Sequence, residues 1–331
     1  MSKKKTNTTI VDIARKLGVA HSTVSRALAD SPLIPEKTRR KVKRLAVKMN
    51  YVKNPFANGL RTGQTHIIKL MYCTKAIHLY EDIILLTILD SFYHELEIQG
   101  YKILLNILKD FKPGQKGLDF RDSITDGTVL VSSGRIAPSY SHHFSDRSRC
   151  IVMDNAVPGY SSVNFHNDDF FQLLIHHIIS KGGKNIAALI PDYKFKHSLR
   201  RRSFSYNKIC RKYQHLCNNL GVITVKNQEN PFPEIRKLKP AADAVICLNN
   251  SVLDKLMDYS DREGVNIQED LIVGAIIDLE DAQGKYQKIP HITLNWPELV
   301  RQSVLCLISQ LQGEVQPPVR KLIKSPLILN R

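Results

Sequence analysis

The chain has 331 residues, 43% of them hydrophobic and 24% charged, and a net charge of +17. That length allows two or three domains with a sizeable core, and no apolar run approaches the length of a membrane span. The charge is concentrated: residues 1–62 hold fifteen Lys or Arg against Asp12, Asp30 and Glu36, a net of +12. This is the electrostatic footprint of a phosphate-binding surface, without the bulky apolar face of an interfacial membrane helix.

Residues 1–8 form a basic, polar arm, expected to be mobile. In residues 10–17 the apolar positions Ile10, Ile13, Ala14 and Leu17 follow the i, i+3, i+4, i+7 rule of one helical face. Thr9 stands as its N-cap with Asp12 completing an acidic capping box, and Gly18 ends it. A second helix opens near Ala20, with Ala20, Val24, Ala27 and Leu28 on the inner face and His21, Ser22, Ser25 and Arg26 on the outer one. Two short helices joined by a Gly-containing turn, the second showing polar and basic side chains outward, read as a helix-turn-helix. Asp30-Ser31-Pro32 then turns the chain into a third helix over 36–50. Val42, Leu45, Ala46 and Met49 line its inner side, and Arg39, Arg40, Lys43, Arg44 and Lys48 are available to solvent or phosphate. Asn54 as N-cap with Pro55 at the first helical position predicts a short helix ending before Gly63. Gly59 within it costs about 1 kcal/mol relative to Ala, so this segment is marginal by itself and forms at best on DNA.

From Thr65 the texture changes to alternating strands and helices. Strands are expected over 67–72, 101–108, 127–131, 150–153, 186–191, 221–225, 244–248, 271–277 and 292–295. Helices are expected over 83–99, 169–180, 203–219, 251–263 and 296–311, and the segment from Pro317-Pro318 onward reads as short and extended. Alternation at these lengths predicts parallel α/β sheets, and the strand count predicts two lobes. The domain boundaries follow: a basic arm at 1–8, a helix-turn-helix domain at 9–53, a hinge helix and linker at 54–64, and a two-lobed α/β region at 65–331.

Several chemical signals fail. Cys73, Cys150, Cys210, Cys217, Cys247 and Cys306 form no CxxC pair and support neither zinc nor a disulfide framework. Reduced thiols and the lack of an apolar stretch after Met1 point to a cytoplasmic protein. Gly182-Gly183-Lys184 lacks the upstream glycine of a P-loop and reads as a helix C-cap. His142-His143 and His176-His177 are adjacent pairs without helical zinc spacing. Asp168-Asp169 and Glu280-Asp281 read as surface carboxylates. No catalytic constellation, metal site or cofactor is indicated.

The motifs T-I-V-D-I-A, G-V-A-H-S-T-V-S-R-A-L, E-K-T-R-R-K-V, N-Y-V-K-N-P and L-R-T-G, in this order over residues 9–63, resemble the LacI/GalR family of lactose-repressor-type transcriptional regulators. Looser echoes follow at Asp126-Gly127, residues 163–167, residues 184–190, Leu248-Asn249-Asn250 and residues 293–297. The resemblance implies an N-terminal all-α helix-turn-helix domain with a hinge helix, then a two-lobed α/β domain like the periplasmic binding proteins. It implies base-edge reading in the major groove by His21, Ser22 and Arg26, with Arg suited to guanine O6 and N7. Thr23, Ser25, Tyr51 and Asn54 match phosphate-contacting positions that fix register. Leu60 matches a leucine that wedges into the minor groove, against the alternative of an ordinary contact between hinge and core. Asp154, Arg202 and Asn249 match positions that hold a small-molecule effector between the lobes.

Departures are visible too. Ala20 and Ala29 stand where the family has Ser and Asn, and the first removes a cap oxygen from the recognition helix. Ile276, Asn250 and His166 stand where Asp is common, which makes a neutral sugar a poorer effector. Lys194, Lys196, Arg200 and Arg201 admit an anionic or phosphorylated ligand, with a solvated surface or an unused pocket as alternatives. The expectation is a sequence-specific regulator, a repressor in the commoner family outcome, binding double-stranded operator DNA as a homodimer. The absence of a heptad-bearing tail favours a dimer over a tetramer. The alternative is a cytoplasmic solute-binding module with only non-specific, salt-sensitive DNA affinity.

Overall fold

The computed structural model describes residues 8–51, 64–74, 83–109, 124–132, 146–192, 197–226, 230–278 and 284–329. The chain divides into two compact units, Met1–Thr65 and His66–Arg331. The hinge segment, with Asn54, Gly59 and Leu60, lies outside the described residues, as do Lys194, Lys196, His142-His143 and Glu280-Asp281.

Among the described residues, three helices build the first unit: α1 (Ile10–Leu17), α2 (His21–Leu28) and α3 (Glu36–Lys48). The capping box on α1 is present in full: Thr9 Oγ1 accepts from the Asp12 backbone N–H, and Asp12 Oδ2 accepts from the Thr9 N–H at 2.9 Å. Gly18 closes α1 in the left-handed conformation, φ 65°. Ile13, Val24, Ala27 and Val42 are fully buried, with Ala14, Ile34 and Ala46 beside them, so each helix supplies an apolar stripe to one small core. The third helix is two residues shorter than its pattern predicts. Met49 caps it and Asn50 takes φ 49°, a left-handed turn that Asn tolerates.

The second unit holds two parallel sheets. The first has the order β11-β5-β4-β3-β1-β2, formed by β1 (Ile67–Thr74), β2 (Lys102–Lys109), β3 (Gly127–Ser132), β4 (Cys150–Met153), β5 (Ser161–Phe165) and β11 (Arg320–Ile323). The second has the order β10-β9-β8-β6-β7, from β6 (Asn185–Pro191), β7 (Asn218–Val225), β8 (Ala244–Cys247), β9 (Ile272–Ile277) and β10 (His291–Thr293). Every named pairing is parallel. Such sheets need helices on their faces, which explains why strands such as Ala244–Cys247 are buried along their whole length. The covering helices are α4 (Ile83–Ile98), α5 (Asn167–Ser180), α6 (His197–Lys212), α7 (Phe232–Arg236), α8 (Asn250–Glu263) and α9 (Trp296–Leu311).

The chain passes between the lobes three times among the described residues. β5 leads into α5, which packs on α6 and β9; β10 leads into α9, which packs on α4 and β3–β5. After β11 in the first sheet, Ile328 bridges back to His291 of the second through hydrogen bonds of 2.7 and 3.0 Å. The extended C-terminal segment is therefore an edge strand and a clasp.

The larger differences from the sequence pattern in the second unit are a shifted helix and an added strand. The helix expected over 203–219 runs instead from His197 to Lys212, because Asn218 already donates to Lys184 O and starts β7. Its six-residue earlier start places Arg200, Arg201 and Arg202 on the first two turns of α6. β5, which its alternation does not single out, is buried at all five positions between β4 and β11. The Gly182-Gly183 pair does follow the end of α5, with each glycine serving a different need. Gly182 has φ 91°, and a Cβ on Gly183 would stand 2.5 Å from Ile178 Cγ2.

Candidate DNA-binding surface and effector cleft

In α2 the side chains divide by face. Val24 and Ala27 are fully buried while His21, Ser22 and Arg26 are exposed; Thr23 and Ser25 lie half-buried at the margin. Ala20 has the extended backbone of an N-cap, φ −64° and ψ 147°, but no side-chain cap bond. The Thr23 N–H donates to Ala20 O at 3.0 Å, so among the described residues the His21 and Ser22 N–H groups are those left open to an outside acceptor such as a phosphate. Tyr51 is half-buried against the helical core, and burial raises its phenol pKa.

The basic face of α3 is partly committed. Arg39 and Arg40 bond to Glu36 at 2.5 and 2.8 Å, and Lys43 bonds to Asp30 at 2.6 Å. Arg44 and Lys48 are exposed and have no ion-pair partner among the described residues. The acids that dilute the positive charge are therefore spent within the unit, and the outer cations stay exposed.

In the second unit, three consecutive arginines of α6 turn about 100° per residue and reach three different places. Arg202 is 3% exposed; its Nη1 donates to Leu248 O at 2.5 Å and its Nη2 to Asp278 Oδ1 at 2.6 Å. Arg201 crosses to the first lobe, donating from Nη1 to Asn164 Oδ1 at 2.7 Å and standing 3.6 Å from Asp154. Arg200 is exposed. Asp154 sits at φ 49°, directly after β4, and its carboxyl pKa is raised by burial, against the opposing pull of Arg201 and Arg202. Asn249 is 4% exposed and caps α8 by accepting from the Val252 N–H at 3.2 Å.

The expected trio is thus brought to one region. Arg202 holds the carbonyl next to Asn249 and lies within electrostatic reach of Asp154. The structure adds Asn164 and Asp278 to this group, together with Arg201, which the basic run at 194–201 already singles out. Ile276 points into the core with 0% exposure, and the carboxylate at this end of β9 is Asp278. Asp278 is held in place by its N–H to Asn250 Oδ1 and its carbonyl to Trp296 Nε1, both 2.6 Å. Asn250, a departure from the family pattern, is therefore part of the support. A strand ending in two isoleucines and an Asp was the available signal. Beside this group lies a cavity of about 510 Å3 lined by His166, Asp168, Arg200, Arg201, Phe204 and neighbours.

Thiol chemistry has no place here. Five of the six cysteines are buried, and burial raises Cys73, Cys150 and Cys210 to about 12.

Comparison with known proteins agrees with this geometry. The profile of the bacterial regulatory proteins of the lacI family matches residues 9–54. Over 288 residues the chain is 25% identical to the probable HTH-type transcriptional repressor ExuR of Bacillus subtilis, covering 83% of each chain. It is 23% identical over 314 residues to the HTH-type transcriptional regulator TreR of Escherichia coli, covering 93% of this chain and 95% of that one. A crystal structure of the Lac repressor bound to ONPG in its repressed state superposes with a TM-score of 0.76 at 18% identity, over 98% of both chains. Residues 9–54 carry the DNA-binding domain of the lacI family, and the rest of the chain is similar to regulators of that type at lower identity.

Its relatives are helix-turn-helix transcription regulators rather than enzymes, and its N-terminal helical domain followed by two parallel-sheet α/β lobes has the fold of the Lac repressor structures. Within that family frame, the departures at Ala20 and Ala29 acquire structural meaning. They are the N-cap and C-cap residues of α2, so this chain caps its recognition helix at both ends without a side-chain hydrogen bond.

Proposed function

We propose that the protein binds pseudo-palindromic operator DNA as a homodimer and represses transcription under the control of a small-molecule effector. The observation that carries this reading is the division of α2: a fully buried apolar side seated on the helical core, and an outer side bearing His21, Ser22 and Arg26. In this reading those three read base edges, Thr23, Ser25, Tyr51 and Asn54 contact phosphate, and Leu60 wedges into the minor groove. One recognition helix covers only a few base pairs, so a dimer and a two-fold site are needed for specificity. The domain boundaries proposed are an arm at 1–8, DNA-binding residues at 9–53, a hinge at 54–64 and the effector and dimerisation region at 65–331. The protein works in the cytoplasm, where the chromosome is; no helix among the described residues is long and apolar enough to cross a membrane.

Control is by linkage: an effector that binds one arrangement of the lobes more tightly shifts the population of hinge geometries and hence DNA affinity. Asp154, Arg202 and Asn249, supported by Asp278, organise the lobe edges where that effector binds. The test is selection of bound duplexes from a random library by the full-length protein at physiological salt. A recovered palindrome, with Arg26→Ala lowering affinity for it about 10- to 100-fold while random DNA is bound as before, supports the reading. Recovery of no motif, with weak binding that fades steeply with salt, replaces it by a solute-binding module with non-specific DNA affinity.

A further inference from the structure

The cavity beside the arginine trio has two guanidinium groups and an imidazole among its donors, against the acceptor oxygens of Asn167, Asp168 and Ser205. Arg200 is exposed and has no ion-pair partner among the described residues. Arg201 uses only Nη1 for Asn164 and Asp154, leaving its Nε–Nη2 edge, the pair of parallel N–H groups that matches a carboxylate or phosphate. His166 accepts the Asp169 N–H on Nδ1 at 3.0 Å, so the neutral ring carries its proton on Nε2 as a donor. The acid in the lining, Asp168, is already matched by Lys208 at 2.5 Å. The N-terminus of the fourteen-residue helix α5 lies on the same wall, through Asn167 and Asp168, and adds to the positive potential. Opposite in character is Phe204, which lines the cavity yet is 71% exposed, near Phe165 and Leu322.

A neutral sugar needs acceptors as much as donors, because each hydroxyl both gives and takes a hydrogen bond. This wall answers an acceptor-only group instead. We infer that the cavity binds a small organic anion, a carboxylate or phosphate ester on a ring whose face packs on Phe204, clamped by Arg200 and the free edge of Arg201 with His166 as a further donor. The inference rests on the reading of the two-lobed region as an effector domain and specifies its ligand class. It also supplies a route to control. Arg201 joins α6 to Asn164 and Asp154 of the first lobe, so an anion that engages Arg201 acts on a contact spanning the cleft.

The experiment is calorimetric titration of full-length protein at low salt with glucose 6-phosphate, glucuronate, benzoate and neutral glucose, repeated on Arg200→Gln and Phe204→Ala. Both substitutions are at exposed positions and leave the fold intact, which a thermal melt checks. At least one of the three anions should bind tenfold or more tighter than glucose, lose about tenfold in Arg200→Gln, and weaken in Phe204→Ala. Glucose binding as tightly as the anions, no binding by any of the three, or full affinity in Arg200→Gln overturns the inference. Duplex selection on the same preparation separates the two readings. A recovered operator without anion binding removes only this inference, and anion binding without a recovered motif removes only the regulator function.

Discussion

Replacing Arg202 with methionine isolates what the buried arginine does. Methionine retains much of the aliphatic stem, so the loss is charge and hydrogen bonding rather than volume. The guanidinium it removes has a side chain 4% exposed and donates to Leu248 O at 2.5 Å and Asp278 Oδ1 at 2.6 Å. Leu248 is fully buried, and leaving its carbonyl without that donor costs about 1–3 kcal/mol. Asp278 keeps its backbone bonds to Asn250 and Trp296 but loses its counter-charge. Breaking a buried pair from one side costs about 3–5 kcal/mol, and the 16% exposure of the Asp278 side chain lets water recover part of that. The two losses are not additive, because they share one guanidinium, and a combined cost of about 4 kcal/mol is expected. For a unit of this size that lowers the melting temperature by about 8 °C, read by differential scanning calorimetry of the full-length protein. The double variant Arg202→Met with Asp278→Leu removes the stranded carboxylate and should regain about half of the loss. A single variant melting within 2 °C of the parent, or a double variant no better than the single, would refute the reasoning.

Asp154→Asn tests the buried carboxyl by pH. Burial raises the folded pKa of Asp154 above the ordinary carboxylate value, so the folded state binds the extra proton between the two pKa values and this residue's contribution falls as pH rises through that window. The variant should gain stability over the parent from pH 4 to pH 7 in urea titrations, and a gap that shrinks with rising pH contradicts the sign. Ala20→Ser restores a cap oxygen at a backbone already in cap geometry and should stabilise α2 by about 1 kcal/mol, seen as a higher first transition in a circular-dichroism melt. Gly183→Ala forces a Cβ against Ile178 and should destabilise by about 1–3 kcal/mol in the same melts, whereas an unchanged midpoint would mean that Ile178 moves aside freely.

Most of the first unit was legible in the sequence. Its signals act over a few residues: the Thr9–Asp12 capping box, Gly18 as a stop, and apolar spacing that put Val24 and Ala27 inward and His21, Ser22 and Arg26 outward. The alternating strands and helices of the second unit were legible for the same reason, since a buried parallel strand advertises itself as an apolar run. The site was legible only in part. Arg202, Asp154 and Asn249 could be named from motif positions, but the partner of Arg202 is 76 residues away, and that distance is closed only by the order in which β6, β8 and β9 lie side by side. Three adjacent arginines look alike along a chain. Helical rotation then sends one to the core, one across the cleft and one to solvent, so the fold assigned their roles. β5 and β11 tell the same story: too short or too polar to stand out, they become strands because each completes a sheet edge that its neighbour leaves open. Local pattern determined the elements, and long-range packing decided which side chains meet.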